Sequence, residues 1–159
     1  MPDWIVHIAV AYIICRILYF KYPVFNSANT VLAMLGALLP DIAKIGMVAQ
    51  FYSIYLDDYL FSFHTPLASL VLAGLLSIFF KEKKLAFLFL GLGIFTHFAL
   101  DLLLIRVGEG YYLLFPISWQ TFHLDLIAPD DYNITLVVLL AALVLYSLGR
   151  LSQRRSEKS

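Results

Sequence analysis

The chain is short of charge and of cysteine. Only 14% of its 159 residues are charged, and eleven basic residues balance eleven acidic ones. A net charge of zero gives no electrostatic basis for nucleic-acid binding. Soluble domains carry about 25% charged and about 45–50% apolar residues. Here 62% are hydrophobic and the mean hydropathy is +0.85. So small a chain could not hide that much apolar surface in a water-soluble core. The expected fold class is all-α, a polytopic integral membrane bundle of about four to five transmembrane helices. The single cysteine, Cys15, excludes an intramolecular disulfide framework. It lies inside the first apolar segment and reads as an inert packing residue. No internal repeat or low-complexity tract is present. The N-terminal Met1-Pro2-Asp3-Trp4 lacks the positive charge that opens a secretion signal, and Arg16 and Lys21 come after the apolar run. A retained first span is expected.

Five apolar segments are present: Trp4–Phe20, Ser27–Leu39, Phe63–Phe80, Leu85–Ile105 and Asn133–Gly149. A spanning helix needs about 20 residues, so the second segment is too short to span alone and would lie inside the bundle or continue irregularly through Pro40. Pro40 steers Leu39 out of helical conformation, and the second helix should stop near Leu39. Thr65-Pro66 reads as an N-cap followed by proline at the first helical position. Asp131 or Asn133 can cap the last helix, a role that also suits Asn133-Ile134-Thr135 better than glycosylation. Lys81-Glu82-Lys83-Lys84 reads as a tight turn. Residues 1–149 form one membrane-embedded domain, and the polar tail Arg150–Ser159 is expected to fray. Asp41–Ser62 and Arg106–Tyr132 lie outside the spans, are rich in aromatics, and are long enough for lids or binding loops.

If the segments alternate across a membrane, Arg16, Lys21, Lys81, Lys83, Lys84, Arg150, Arg154, Arg155 and Lys158 share one side, and Lys44 and Arg106 the other. Lys and Arg concentrate in cytoplasmic loops. The N-terminus is therefore expected outside and the C-terminus in the cytoplasm, across a cell or inner membrane. Aromatic residues fit two interfacial belts, with Trp4, Tyr52, Tyr55, Tyr59, Tyr111 and Trp119 outside and Tyr19, Tyr22 and Tyr146 inside.

The few polar residues of the segments gather at the outer end. At about 1.5 Å of rise per residue, His64 lies about 25 Å from the Lys81 turn, and Asp101 as far from Lys84 on the way back. His97 is about 20 Å from that turn and His7 about 21 Å from Lys21. Asp41 reaches the same layer if its path from Ser27 is helical. His97 and Asp101 are spaced i, i+4 and project from one helix face. A carboxylate in so apolar a run needs compensation. Ionisable groups at membrane depth are functional hypotheses by default. His7, Asp41, His64, His97 and Asp101 together suggest a divalent-metal site. Three His and two Asp suit zinc, with manganese or iron as alternatives. A bound metal can lower the pKa of its water toward about 7, which points to hydrolysis.

Each residue also has a plainer reading. His97 and Asp101 could share a helix hydrogen bond, Asp41 could cap Ile42–Gln50, and His64 could be an interfacial histidine bonded to backbone. Arg106 is either a bidentate holder of phosphate or a surface charge. His123 and Asp125, in the second outer loop, are a further ligand, a proton donor or neither.

The pattern resembles the YdjM-like family of membrane-bound metal-dependent hydrolases. The resemblance rests on Ile5-Val6-His7-Ile8-Ala9, Gly36-Ala37-Leu38-Leu39-Pro40-Asp41-Ile42, Phe63-His64-Thr65-Pro66-Leu67, Thr96-His97-Phe98-Ala99-Leu100-Asp101-Leu102 and Leu113-Leu114-Phe115-Pro116. That family is distantly similar to zinc phospholipase C and P1-type nucleases. The resemblance implies phosphoester hydrolysis, with a membrane lipid as environment and substrate, and with His7, Asp41, His64, His97 and Asp101 as ligands. Asp41 or His123 would then move protons, and Arg106 would steady the developing negative charge. Ala43, Tyr59 and Leu60 stand where many relatives carry further acidic, histidine and arginine residues, and Leu103 or Leu104 where a threonine often follows. The rival expectation is a non-enzymatic membrane protein whose polar layer binds an ion or keeps a structural metal.

Overall fold

The computed structural model describes residues 4–43, 63–105, 111–128 and 132–156. Among them are five α-helices and no strands: α1 (Trp4–Tyr19), α2 (Ser27–Gly36), α3 (Pro66–Ser77), α4 (Lys83–Leu103) and α5 (Tyr132–Ser156). Two 3₁₀ turns, Pro23–Phe25 and Pro40–Ala43, flank α2. The helix that would follow Asp41 (Ile42–Gln50), the residues Lys44, Tyr52, Tyr55, Tyr59, Leu60, Arg106 and Asp131, and the chain ends lie outside the described residues or continue into them.

Proline and asparagine set the boundaries. Tyr22 is extended (φ −128°, ψ 101°), as a residue before proline must be, and it separates α1 from the turn at Pro23. Asn26 then caps α2, its side chain accepting from the amide of Asn29 at 3.0 Å. The buried Asn29 and Thr30 turn their own polar groups back on this entry. The Asn29 amide donates to the Val24 carbonyl at 2.7 Å, and the Thr30 hydroxyl to that of Asn26 at 2.9 Å. α2 stops at Gly36, three residues before the expected Leu39. A proline ring clashes with the carbonyl four residues earlier, which for Pro40 is that of Gly36. Thr65 is extended (φ −125°, ψ 147°) and Pro66 opens α3 as expected. The turn between α3 and α4 spans residues 78–82, and Lys83 already belongs to α4. α5 continues through the basic tail to Ser156 instead of ending at Gly149. Arg and Gln are good helix formers, and cations suit a helix C-terminus.

α4 is the central element, packed against α1, α2 and α3, while α5 leans on α1. The α2–α4 crossing is very close. A Cβ at Gly36 would run into the carbonyl of Leu90, and one at Gly93 into the carbonyl of Ala33. Lipid tails give helices no reason to hide from them, so membrane helices associate through small residues that let backbones touch. Below the crossing, Cys15, Ala33 and Phe89 form one buried cluster, the place expected for the lone thiol. Leu39, Ala73, Leu90, Ile94 and Phe98 form another beneath the polar layer.

Among the described residues, two helices are long and apolar enough to cross a membrane: Lys83–Leu103, with 21 residues, and Tyr132–Leu151, with 20. α1 and α3 are apolar but shorter, about 24 Å and about 18 Å against a hydrocarbon core of about 30 Å. Beyond α4 the segment 111–128 folds back on the helix end. The amides of Leu124, Leu126 and Ile127 donate to the carbonyls of Leu102 and Leu103 at 2.8–2.9 Å, and Ile105 donates to Ile127 at 2.7 Å. The last carbonyls of α4, which lack partners within the helix, find them in this loop.

Candidate metal centre

Four separate pieces of chain bring polar side chains to one point. His7 comes from the first turn of α1, Asp41 from the 3₁₀ turn after Pro40, and His64 from the residue pair ahead of α3. His97 and Asp101 come from one face of α4. The Nε2 atoms of His64 and His97 are 3.3 Å apart. Asp101 Oδ2 lies 3.2 Å from the first and 3.1 Å from the second. Asp41 Oδ1 lies 3.5 Å from His64 Nε2 and 3.9 Å from His97 Nε2. The other oxygen of Asp101, Oδ1, is 3.5 Å from His7 Nε2. The rings of His7 and His97 stack with centroids 3.9 Å apart.

These spacings test the fit of a metal. Four donors around a zinc at about 2.0–2.1 Å sit about 3.3–3.4 Å from one another, the edge of a tetrahedron of that radius. The four atoms His64 Nε2, His97 Nε2, Asp101 Oδ2 and Asp41 Oδ1 have five measured separations, all between 3.1 and 3.9 Å. Two groups, His7 with His97 and Asp101, and Asp41 with His64 and His97, each place their ligand atoms within 4.8 Å of one another. Charge agrees with geometry. Two carboxylates and neutral imidazoles leave two negative charges, which one divalent cation cancels. The need is real, because Asp41 and Asp101 are 2% and 4% exposed, and buried charge without compensation is costly.

The tautomer of His97 is set from outside the cluster. Its Nδ1–H donates to the backbone carbonyl of Ala37 at 2.8 Å, which leaves the lone pair of Nε2 directed at the other donors. Ala37 follows Gly36, and His97 lies one turn beyond Gly93. The close approach at those glycines is what lets a carbonyl of α2 reach an imidazole of α4. His64 is the least enclosed member, with 13% of its side chain exposed. Carboxylate oxygens of Asp101 and Asp41 face its Nε2 at 3.2 and 3.5 Å. A cation is what this position favours.

Tyr111 also belongs here, though as a sequence position it shows only an interfacial aromatic. Its ring centroid is 5.6 Å from that of His64. Burial, then the negative charge of Asp101 and Asp41, pushes its hydroxyl well above the usual tyrosine range. His123 is not among these donor groups. Its Nδ1–H donates to Asp125 Oδ2 at 2.8 Å, both side chains are partly exposed, and Asp125 takes the left-handed conformation (φ 54°). Arg106 lies outside the described residues.

A family model described as YdjM inner membrane protein matches residues 1–158. The chain belongs to the YdjM inner membrane protein family. No curated protein and no solved structure matches it. Membership and the two long apolar helices agree on an inner membrane protein. Among the described residues of this YdjM-family chain, His7, Asp41, His64, His97 and Asp101 form two groups that could hold a metal ion.

Proposed function

We propose that this chain is a membrane-bound, metal-dependent hydrolase that acts on an ester, with a phosphoester of a membrane lipid as the favoured substrate. The observation that carries the proposal is the convergence of His64, His97, Asp101 and Asp41 at the spacing of one coordination sphere. His7 completes the set through the second oxygen of Asp101. A divalent cation held there, zinc or else manganese or iron, supplies Lewis acidity and hydroxide near neutral pH. The protein orients the donors through the Ala37 carbonyl and excludes water with the loop stitched to the end of α4. The Tyr111 ring lies 5.6 Å from that of His64, a position from which its hydroxyl would donate to a bound anion. Asp125 fixes the ring of His123, which gives or takes a proton at Nε2, with Asp41 as the alternative proton carrier. Arg106, five residues past Asp101, receives the anionic group.

We place four to five membrane-crossing segments in the fold, with the N-terminus and the metal centre on the extracytoplasmic side. If the segments alternate, nine of the eleven basic residues fall on the opposite side, which supports that orientation. The deep burial of His7 and His97 favours a second reading, a non-enzymatic member that keeps its metal for structure. Metal analysis of protein purified in detergent without chelator separates these. The expected result is bound metal in wild type, and phospholipid hydrolysis that falls by about 10²–10⁴ in His123→Gln at unchanged metal content. Metal without hydrolysis leaves the structural role. A metal-free wild type overturns both.

A further inference from the structure

We propose that a groove along α3 seats an acyl chain of a phospholipid from the surrounding membrane, beside the His/Asp cluster; this deepens the hydrolase reading and rests on it. The groove encloses about 320 Å³. One wall is α3, whose Leu67, Val71 and Leu75 recur every four residues, and Phe115 and Pro116 of the loop complete it. Phe63 and Thr65 line it too, and they are the neighbours of His64 on either side. The groove therefore begins at the residues that flank His64 and follows α3 from Leu67 to Leu75, about 12 Å.

Chemistry and size choose the occupant. Apart from Thr65 the lining is apolar and offers nothing to a polar ligand, whereas a methylene chain asks for nothing else. Leu67, Val71 and Leu75 remain about half exposed, and the loop beside Phe115 turns Leu114, Ile117 and Trp119 outward. In an inner membrane protein such a mouth opens toward hydrocarbon. A helix from a second copy, about 10–12 Å across with its side chains, is too broad for this volume. A single extended chain fits, and it brings the polar end of its lipid toward His64, the most exposed of the ligands.

The full chain in nanodiscs, with a phospholipid bearing a photoactivatable diazirine in mid-chain, tests this. Labelling is expected to concentrate on residues 67–75 and 115–116. It should exceed that on Leu88 and Phe95 of α4, which are more exposed but lie outside the groove. Val71→Trp and, separately, Leu75→Trp should each fill the groove and cut its labelling by about tenfold, as a loss of ~1.4 kcal/mol does. Metal content reports whether each variant is folded. Equal labelling on both faces, or labelling that Val71→Trp leaves unchanged at wild-type metal content, overturns the acyl site. Crosslinks to a second copy in place of lipid overturn it as well. Groove labelling that persists in protein lacking metal and hydrolysis keeps the acyl site and removes the hydrolase reading.

Discussion

α4 and the first 20 residues of α5 are near twins by length and composition. Each is apolar and long enough to cross a membrane, yet half of the apolar stretch of α4 is buried and none of that of α5. α4 carries Gly93, His97 and Asp101 at intervals of four, and α5 has no histidine or acidic residue between Tyr132 and Leu151. Most of its leucines and valines face outward, from Leu136 to Leu151. Hydrophobicity therefore places a helix in the membrane without saying what the helix is for. The spacing of small and ionisable residues decides which helix builds the site.

The sharpest way to break the comparison is to remove the polar pair. His97→Ala or Asp101→Ala should lower metal affinity by more than the roughly 10–100-fold that an outer-sphere partner is worth, measured by chelator competition on purified protein. Retained affinity in both variants would remove the distinction between the helices. Next in size is the crossing. Gly93→Ala places a methyl against the backbone of Ala33 and Ala37, atoms that cannot yield without separating α2 from α4. A loss of about 1–3 kcal/mol is expected in detergent unfolding, with weaker metal retention because Ala37 no longer orients His97. Gly149→Ala on α5 is the matched control. There the added methyl meets only the guanidinium end of Arg16, a flexible side chain that can move aside. Its cost should stay within about 0.5 kcal/mol. Smallest of all is Leu140→Ala on the outward face of α5, which should leave metal content unchanged and stability within about 0.5 kcal/mol. A large effect there would mean that this face is covered.

The donor set was legible because polar residues are rare in this chain. With so few His and Asp in apolar segments, helical rise brings His7, His64, His97 and Asp101 to one layer, and Asp41 joins them from the turn beyond the end of α2. Segment identity was legible for the same reason, since proline and charge punctuate long apolar runs. Helix ends were less so. Pro40 acts through the carbonyl of Gly36, four residues back, and helix propensity carries α5 past the point where its hydrophobicity ends. The carbonyl of Ala37 left no trace at all, because every residue has one and only the fold aims it. Tyr111 was hidden differently. An aromatic near a membrane surface reads as an anchor until the loop folds back over His64.

The amide ladder between the loop and the end of α4 has a mechanical consequence. Leu124, Leu126 and Ile127 are fastened to the carbonyls directly after Asp101, so the cover and the carboxylate at the heart of the cluster ride on one rigid strut. Neither can tilt without carrying the other. Trp119, outward-facing but edge-on to Tyr112 and Phe115 in that loop, is thus a built-in gauge of how the loop is seated.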